Sequence, residues 1–109
     1  MSFLDALRGL RVVFNEEPNF RVIIVGAIAA LGTAWYFHFS TTEVLFMLVA
    51  IVLVVGGEII NTIVEDLCNK VEPAYDPVIG KIKDMAAGFV LVSALCAFLI
   101  GAIMISTHI

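Results

Sequence analysis

Glu58, Asn61 and Glu65 stand three and four residues apart, directly after the apolar run Val44–Gly57. On a helix that spacing puts two carboxylates and an amide on one face. An acid at the edge of an apolar run is costly to maintain, which marks it as functional. Further along, Lys83 and Asp84 introduce another long apolar segment, Met85–Ser106. Both polar sets therefore fall at a membrane boundary on the same side. Carboxylates, an amide and a lysine gathered there suit a divalent cation and phosphate.

The elements that must position these groups follow from composition. The chain has 109 residues, 61% of them hydrophobic and 15% charged, against roughly 45–50% apolar and about 25% charged in soluble domains. There is room for one domain, 1–109, and the bilayer must be its main solvent. Residues 22–39, 44–64 and 85–106 each approach or exceed the ~20 residues that cross hydrocarbon as a helix. Ahead of them, Phe3, Leu4, Leu7, Leu10, Val13 and Phe14 recur at helical spacing, with Asp5, Arg8 and Arg11 available for a wet face. Residues 3–16 thus read as an amphipathic helix lying on the membrane surface. The fold class is all-α and integral to the membrane, with one surface helix and three transmembrane helices. Charged residues scattered through positions 1–21 argue against a cleavable signal peptide.

Charge sets the orientation. The six basic residues, Arg8, Arg11, Arg21, Lys70, Lys81 and Lys83, all precede the first span or lie between the second and third. The positive-inside bias puts the N-terminus and the 66–84 segment in the cytoplasm and the C-terminus outside. Nine of the ten acids share that inner side, with Glu43 alone outside, although the net charge is −4. The inner face is the working face, and nothing in this charge pattern suits a nucleic acid.

Local signals divide the chain further. Pro18 marks the turn into the first span, whose Gly26, Ala27, Ala29, Ala30, Gly32 and Ala34 allow close helix packing before the interfacial rings Trp35, Tyr36 and Phe37. Ser40 and Glu43 offer a cap and a first-turn acid to the second span, making a tight hairpin. That helix should continue past the hydrocarbon, because Ile59, Ile60, Ile63, Val64 and Leu67 keep an apolar stripe while Glu58, Asn61, Glu65 and Asn69 share another face. Pro73 and Pro77 bracket Ala74, Tyr75 and Asp76 in a loop, with Gly80 as a hinge before the third helix. Cys68 and Cys96 fit no metal or disulfide pattern, and His38 and His108 have no Cys or acid at metal-ligand spacing.

Three segments occur in a characteristic order: Asn15, Glu16, Glu17, Pro18, Asn19, Phe20 and Arg21; then Glu58, Asn61 and Glu65; then Lys83, Asp84 and Gly88. Their order and topology resemble the small prokaryotic diacylglycerol kinase family, which includes the undecaprenol kinases, from about Arg8 to the end of the chain. The resemblance implies a homotrimer in the bacterial inner membrane, with active sites between subunits at the cytoplasmic face. It also implies transfer of the γ-phosphate of Mg-ATP to a lipid hydroxyl, diacylglycerol giving phosphatidic acid or undecaprenol giving undecaprenyl phosphate.

By the same resemblance Glu58 matches the general base and Asn61 the amide beside it. Glu17 and Glu65 match the acids that hold Mg2+ on the nucleotide phosphates, and Asn69, Lys83 and Asp84 complete the nucleotide site. The chemistry of the residues agrees. Magnesium takes hard oxygen ligands, usually one or two carboxylates with substrate phosphates, and Glu58 lies deepest, where desolvation strengthens it as a proton acceptor. Lys83 supplies positive charge to phosphate, and Asp84 is available to orient it. Glu16 reads as a bystander to Glu17, and Arg21 as a headgroup contact.

The chain departs from the family pattern at Asn69, where an aspartate is common, and at Asp76, where a histidine is frequent; the pair Gly56 and Gly57 is also unusual. Two other classes compete with a kinase. A catalytically lapsed lipid-binding scaffold would neither bind nor turn over nucleotide. A small proton-linked transporter would need polar groups through the depth of the membrane, whereas these spans are polar at one end.

Overall fold

The computed structural model describes residues 2–74 and 76–109. They form four helices in chain order: α1 (Phe3–Glu16), α2 (Pro18–Tyr36), α3 (Thr41–Val71) and α4 (Pro77–Ser106). The last three are each long and apolar enough to cross a membrane. α3 and α4 form the main packed pair, α2 leans on α3, and α1 touches α2.

Each boundary has a local cause. Ser2 accepts the Asp5 amide at 3.1 Å and starts α1. Pro18 cannot continue the α1 ladder and disfavours helical backbone at the residue before it. Glu17 is accordingly extended (φ −113°, ψ 104°) and serves as the joint between α1 and α2. Arg21 reaches back across that joint and donates to the carbonyls of Phe14 at 2.8 Å and Asn15 at 3.0 Å. The sequence suggests a headgroup contact for Arg21. Its Nη1 satisfies two carbonyls that the end of α1 leaves without helical partners.

At the opposite end His38 adopts a left-handed conformation (φ 54°) that reverses the chain. Ser40 and Glu43 then form a reciprocal capping box at the start of α3, with distances of 3.2 and 2.9 Å. Ala34, Phe39 and Met47 make the buried cluster here, with Phe37, Val44 and Met104 packed on it. His108 stacks on Phe39 with ring centres 4.6 Å apart and meets Glu43 at 2.8 Å, tying the end of α4 to the hairpin. The bundle is thus pinned at the end remote from Glu58, Asn61 and Glu65.

α3 has 31 residues and α4 has 30; at 1.5 Å per residue each runs to about 45 Å, against a hydrocarbon core of about 30 Å. The C-terminal part of α3 and the N-terminal part of α4 therefore project together beyond the apolar stretch. α4 starts at Pro77, with Asp76 accepting the amides of Val78 and Ile79 at 2.9 and 3.1 Å. Gly80 lies inside this helix, so it is not a hinge. The Asp76 cap and Pro77 at the first helical position nucleate the helix ahead of it. Tyr75 lies outside the described residues.

The apolar surface points outward, as expected of a chain solvated by lipid. Phe98 is 73% exposed, and no described side chain reaches full burial. Small residues from all three long helices, among them Gly26, Ala27, Ala50 and Gly101, leave an apolar groove of about 280 Å³.

α4 packs on α3 at Gly57, where an added Cβ would meet the Phe89 ring and Ser93 Oγ at 3.6 Å. That is ordinary contact, so Gly57→Ala should be neutral or slightly stabilising, since alanine is the better helix former. Gly57→Leu would overfill the crossing and should cost about 1–3 kcal/mol. Thermal unfolding of the two variants in micelles checks this; equal melting temperatures would show that the crossing yields freely.

Candidate active site

α3 carries the site as a single uninterrupted helix. Glu58, Asn61, Glu65 and Asn69 are spaced along it by 3, 4 and 4 residues, a near-straight line about 16 Å long from first to last at 1.5 Å per residue. The line begins in the bundle and ends in its projecting part. Glu58 is 7% exposed, while Asn61 is half-buried and Glu65 and Asn69 are exposed.

Glu58 is one of two buried polar residues among those described; the other is Ser93. Its surroundings are burial and the negative charges of Glu17 and Glu65, with no hydrogen bond offered to it among the described residues. A buried carboxylate without donors is expensive. Nothing in the packing demands one here.

Glu17 reaches this neighbourhood because the joint at Pro18 turns α2 away from α1. It is half-buried, makes no side-chain cap to its own helix, and so keeps its carboxylate free. Glu16, one residue earlier, is exposed. The Asn61 amide nitrogen donates to Glu65 Oε1 at 3.3 Å, which fixes one oxygen of that carboxylate. Asn61 Oδ1 is buried with no partner among the described residues. It is an acceptor waiting for a donor, such as a hydroxyl or a metal-bound water.

No three His, Cys, Asp or Glu side chains among the described residues are gathered to hold a metal ion alone. The donor chemistry nevertheless fits magnesium, which usually takes one or two carboxylates and completes its shell with phosphate and water. Glu17 and Glu65 are the residues available for this, both within electrostatic reach of Glu58.

Lys83 closes the far end of the line. Its ammonium donates to Asn69 Oδ1 at 2.7 Å, bridging α4 to α3. Asp84 is exposed and lines a separate hollow with Pro77, Gly80 and Lys81. Adjacent helical residues point about 100° apart, so Asn69 and not Asp84 orients the lysine. Sequence reasoning identifies both Asn69 and Lys83 but misses their contact, which crosses two helices. It also misses the pairing of His108 with Glu43, since no spacing rule joins residues so far apart.

An α-helical chain with three membrane-length helices, and a line of carboxylates and amides running from inside the bundle to its projecting end, defines a membrane protein with a polar site at one boundary. The sequence model of prokaryotic diacylglycerol kinase matches residues 5–105, and the chain belongs to that family. It is 30% identical over 107 residues to the undecaprenol kinase of Bacillus subtilis, covering 94% of this chain and 84% of that protein. It is 25% identical over 101 residues to the diacylglycerol kinase of Escherichia coli, covering 93% and 83%. The diacylglycerol kinase of Synechocystis is 28% identical over 106 residues; 96% of this chain aligns, spanning 61% of that longer protein.

Proposed function

We propose that the protein is an integral-membrane lipid kinase that transfers the γ-phosphate of Mg-ATP to the hydroxyl of a membrane lipid, diacylglycerol or undecaprenol. The observation that carries this reading is Glu58: a carboxylate 7% exposed, without hydrogen-bond donors among the described residues, at the deep end of a polar line whose other end bears Lys83. Family membership supports it.

The residues divide the reaction between them. Glu58 takes the proton of the lipid hydroxyl as that oxygen attacks the γ-phosphorus. The bond from phosphorus to the bridging oxygen breaks, ADP leaves with the electron pair, and the proton passes from Glu58 to water. Glu17 and Glu65 would hold the divalent cation. When bound, that ion neutralises charge on the transferred phosphoryl group and the leaving oxygen. Asn61 steadies Glu65 with its NH2 and keeps Oδ1 for the incoming donor. Lys83 offers its ammonium to the outer phosphates. ATP enters from water at the projecting end, and the lipid alcohol arrives from the bilayer at the height of Glu58.

The basic residues gathered on the projecting side support a cytoplasmic site in a bacterial membrane, with the C-terminus outside. The apolar residues of α1 support its lying on the bilayer surface. The broad exposed apolar faces and a site open on one side support a homotrimer in which a neighbouring copy completes each site.

The test is phosphate transfer from labelled Mg-ATP by purified protein in mixed micelles, with diacylglycerol and undecaprenol offered separately. Labelled lipid from one of them is expected. Folded protein that labels neither lipid, and binds no nucleotide, would replace this reading with the lapsed scaffold.

A further inference from the structure

Lys83 is held without being neutralised. Its ammonium donates to the Asn69 amide oxygen at 2.7 Å, and among the described residues no carboxylate lies within 4.0 Å of it: the ion pairs are Arg8 with Asp5 and His108 with Glu43. A neutral amide restricts the flexible lysine stem as well as a carboxylate would, yet leaves the positive charge uncompensated.

This matters because the rest of the line is negative. Glu17, Glu58 and Glu65 put three carboxylates around the position where the polyphosphate must enter. A bound divalent cation offsets part of that repulsion. Lys83, half-buried and fixed from the opposite helix, is the remaining positive charge that the structure ties directly to this face.

We propose that Asn69 is a positioning residue that fixes the Lys83 ammonium on the nucleotide-binding face while sparing its charge, and so sets the affinity of the site for polyphosphate. The inference rests on the kinase reading above and specifies how its nucleotide end works. An acid at 69 would keep the geometry and surrender the charge. A small apolar residue at 69 would keep the charge and release the geometry.

That contrast separates an electrostatic role from a merely structural one. Aspartate is nearly isosteric with asparagine, so a structural role makes Asn69→Asp the milder change and Asn69→Ala the harsher. Charge-sparing reverses the order. Asn69 is exposed on the surface of α3, so both variants should fold.

The experiment measures KM and kcat for Mg-ATP at saturating lipid, and the Kd of a non-hydrolysable Mg-ATP analogue, for the full chain and both variants across a range of ionic strength. Asn69→Ala should weaken nucleotide binding about two- to threefold and Asn69→Asp about tenfold, with KM rising far more than kcat falls. The salt dependence of binding should flatten in Asn69→Asp, where an internal ion pair has replaced a free cation, and persist in Asn69→Ala. Asn69→Asp binding as tightly as wild type, or more tightly than Asn69→Ala, would overturn this inference while leaving the kinase reading intact. Wild-type protein that shows no saturable binding of the analogue would overturn both.

Discussion

Glu58→Gln is expected to lower kcat for lipid phosphorylation by about 10²–10⁴-fold, the usual contribution of a positioned general base, while nucleotide affinity stays within roughly twofold. The split follows from position. Glu58 is 7% exposed at the inner end of the polar line, and Lys83 joins that line three helical turns away, at Asn69. Glutamine keeps the size and the hydrogen-bonding capacity of the side chain but accepts no proton at neutral pH. If Glu58 served only to pack α3 or to bond a neighbouring helix, glutamine would do that work equally well and kcat would hold. A kcat within threefold of wild type would remove Glu58 as the base. Removing a buried charge flanked by Glu17 and Glu65 should also leave the protein no less stable, so lost activity with an unchanged or raised melting temperature separates chemistry from folding.

The line on α3 was legible because it depends on one helix alone. Glu58, Asn61, Glu65 and Asn69 needed only a period of 3.6 residues and a helix that outruns the hydrocarbon, and α3 supplies both over Thr41–Val71. Glu17 was singled out only by the resemblance carried by residues 15–21; what Pro18 made legible by itself was the break between α1 and α2, since a proline restricts the residue before it whatever the tertiary fold. The capping box of Ser40 and Glu43 is likewise a matter of four consecutive residues.

What escaped has the opposite character. The contact of Lys83 with Asn69 and that of His108 with Glu43 span 14 and 65 residues. Periodicity ranks faces within a helix and says nothing of which faces meet. Gly57 reads as one small residue among many until Phe89 and Ser93 are set against it. Gly80 shows a different failure. Its permissive backbone suggested a hinge, yet the cap signal of Asp76 and Pro77 stood just before it and decides the helix start. Glycine permits a break, whereas a capping carboxylate followed by proline actively starts a helix.

The second large effect is expected at Glu65, and it should differ in kind from that at Glu58. Glu65→Gln should raise the Mg2+ concentration needed for half-maximal activity about 10–100-fold, with a comparable loss of rate at low Mg2+. The geometry gives the reason: one oxygen of Glu65 is held by the Asn61 amide at 3.3 Å, so the carboxylate is oriented, and its charge belongs to the same field as Glu17 and Glu58. Glutamine preserves the bond to Asn61 and removes the anionic ligand. High Mg2+ should restore much of the rate, which it cannot do for Glu58→Gln, because no metal concentration replaces a proton acceptor. Asp66, the next residue, is equally exposed and points about 100° away, so Asp66→Asn should leave the magnesium curve where it is. A magnesium titration of Glu65→Gln that overlays wild type would show that the cation is held elsewhere, and the polar line on α3 would then have to be read as proton chemistry with Lys83 alone facing phosphate.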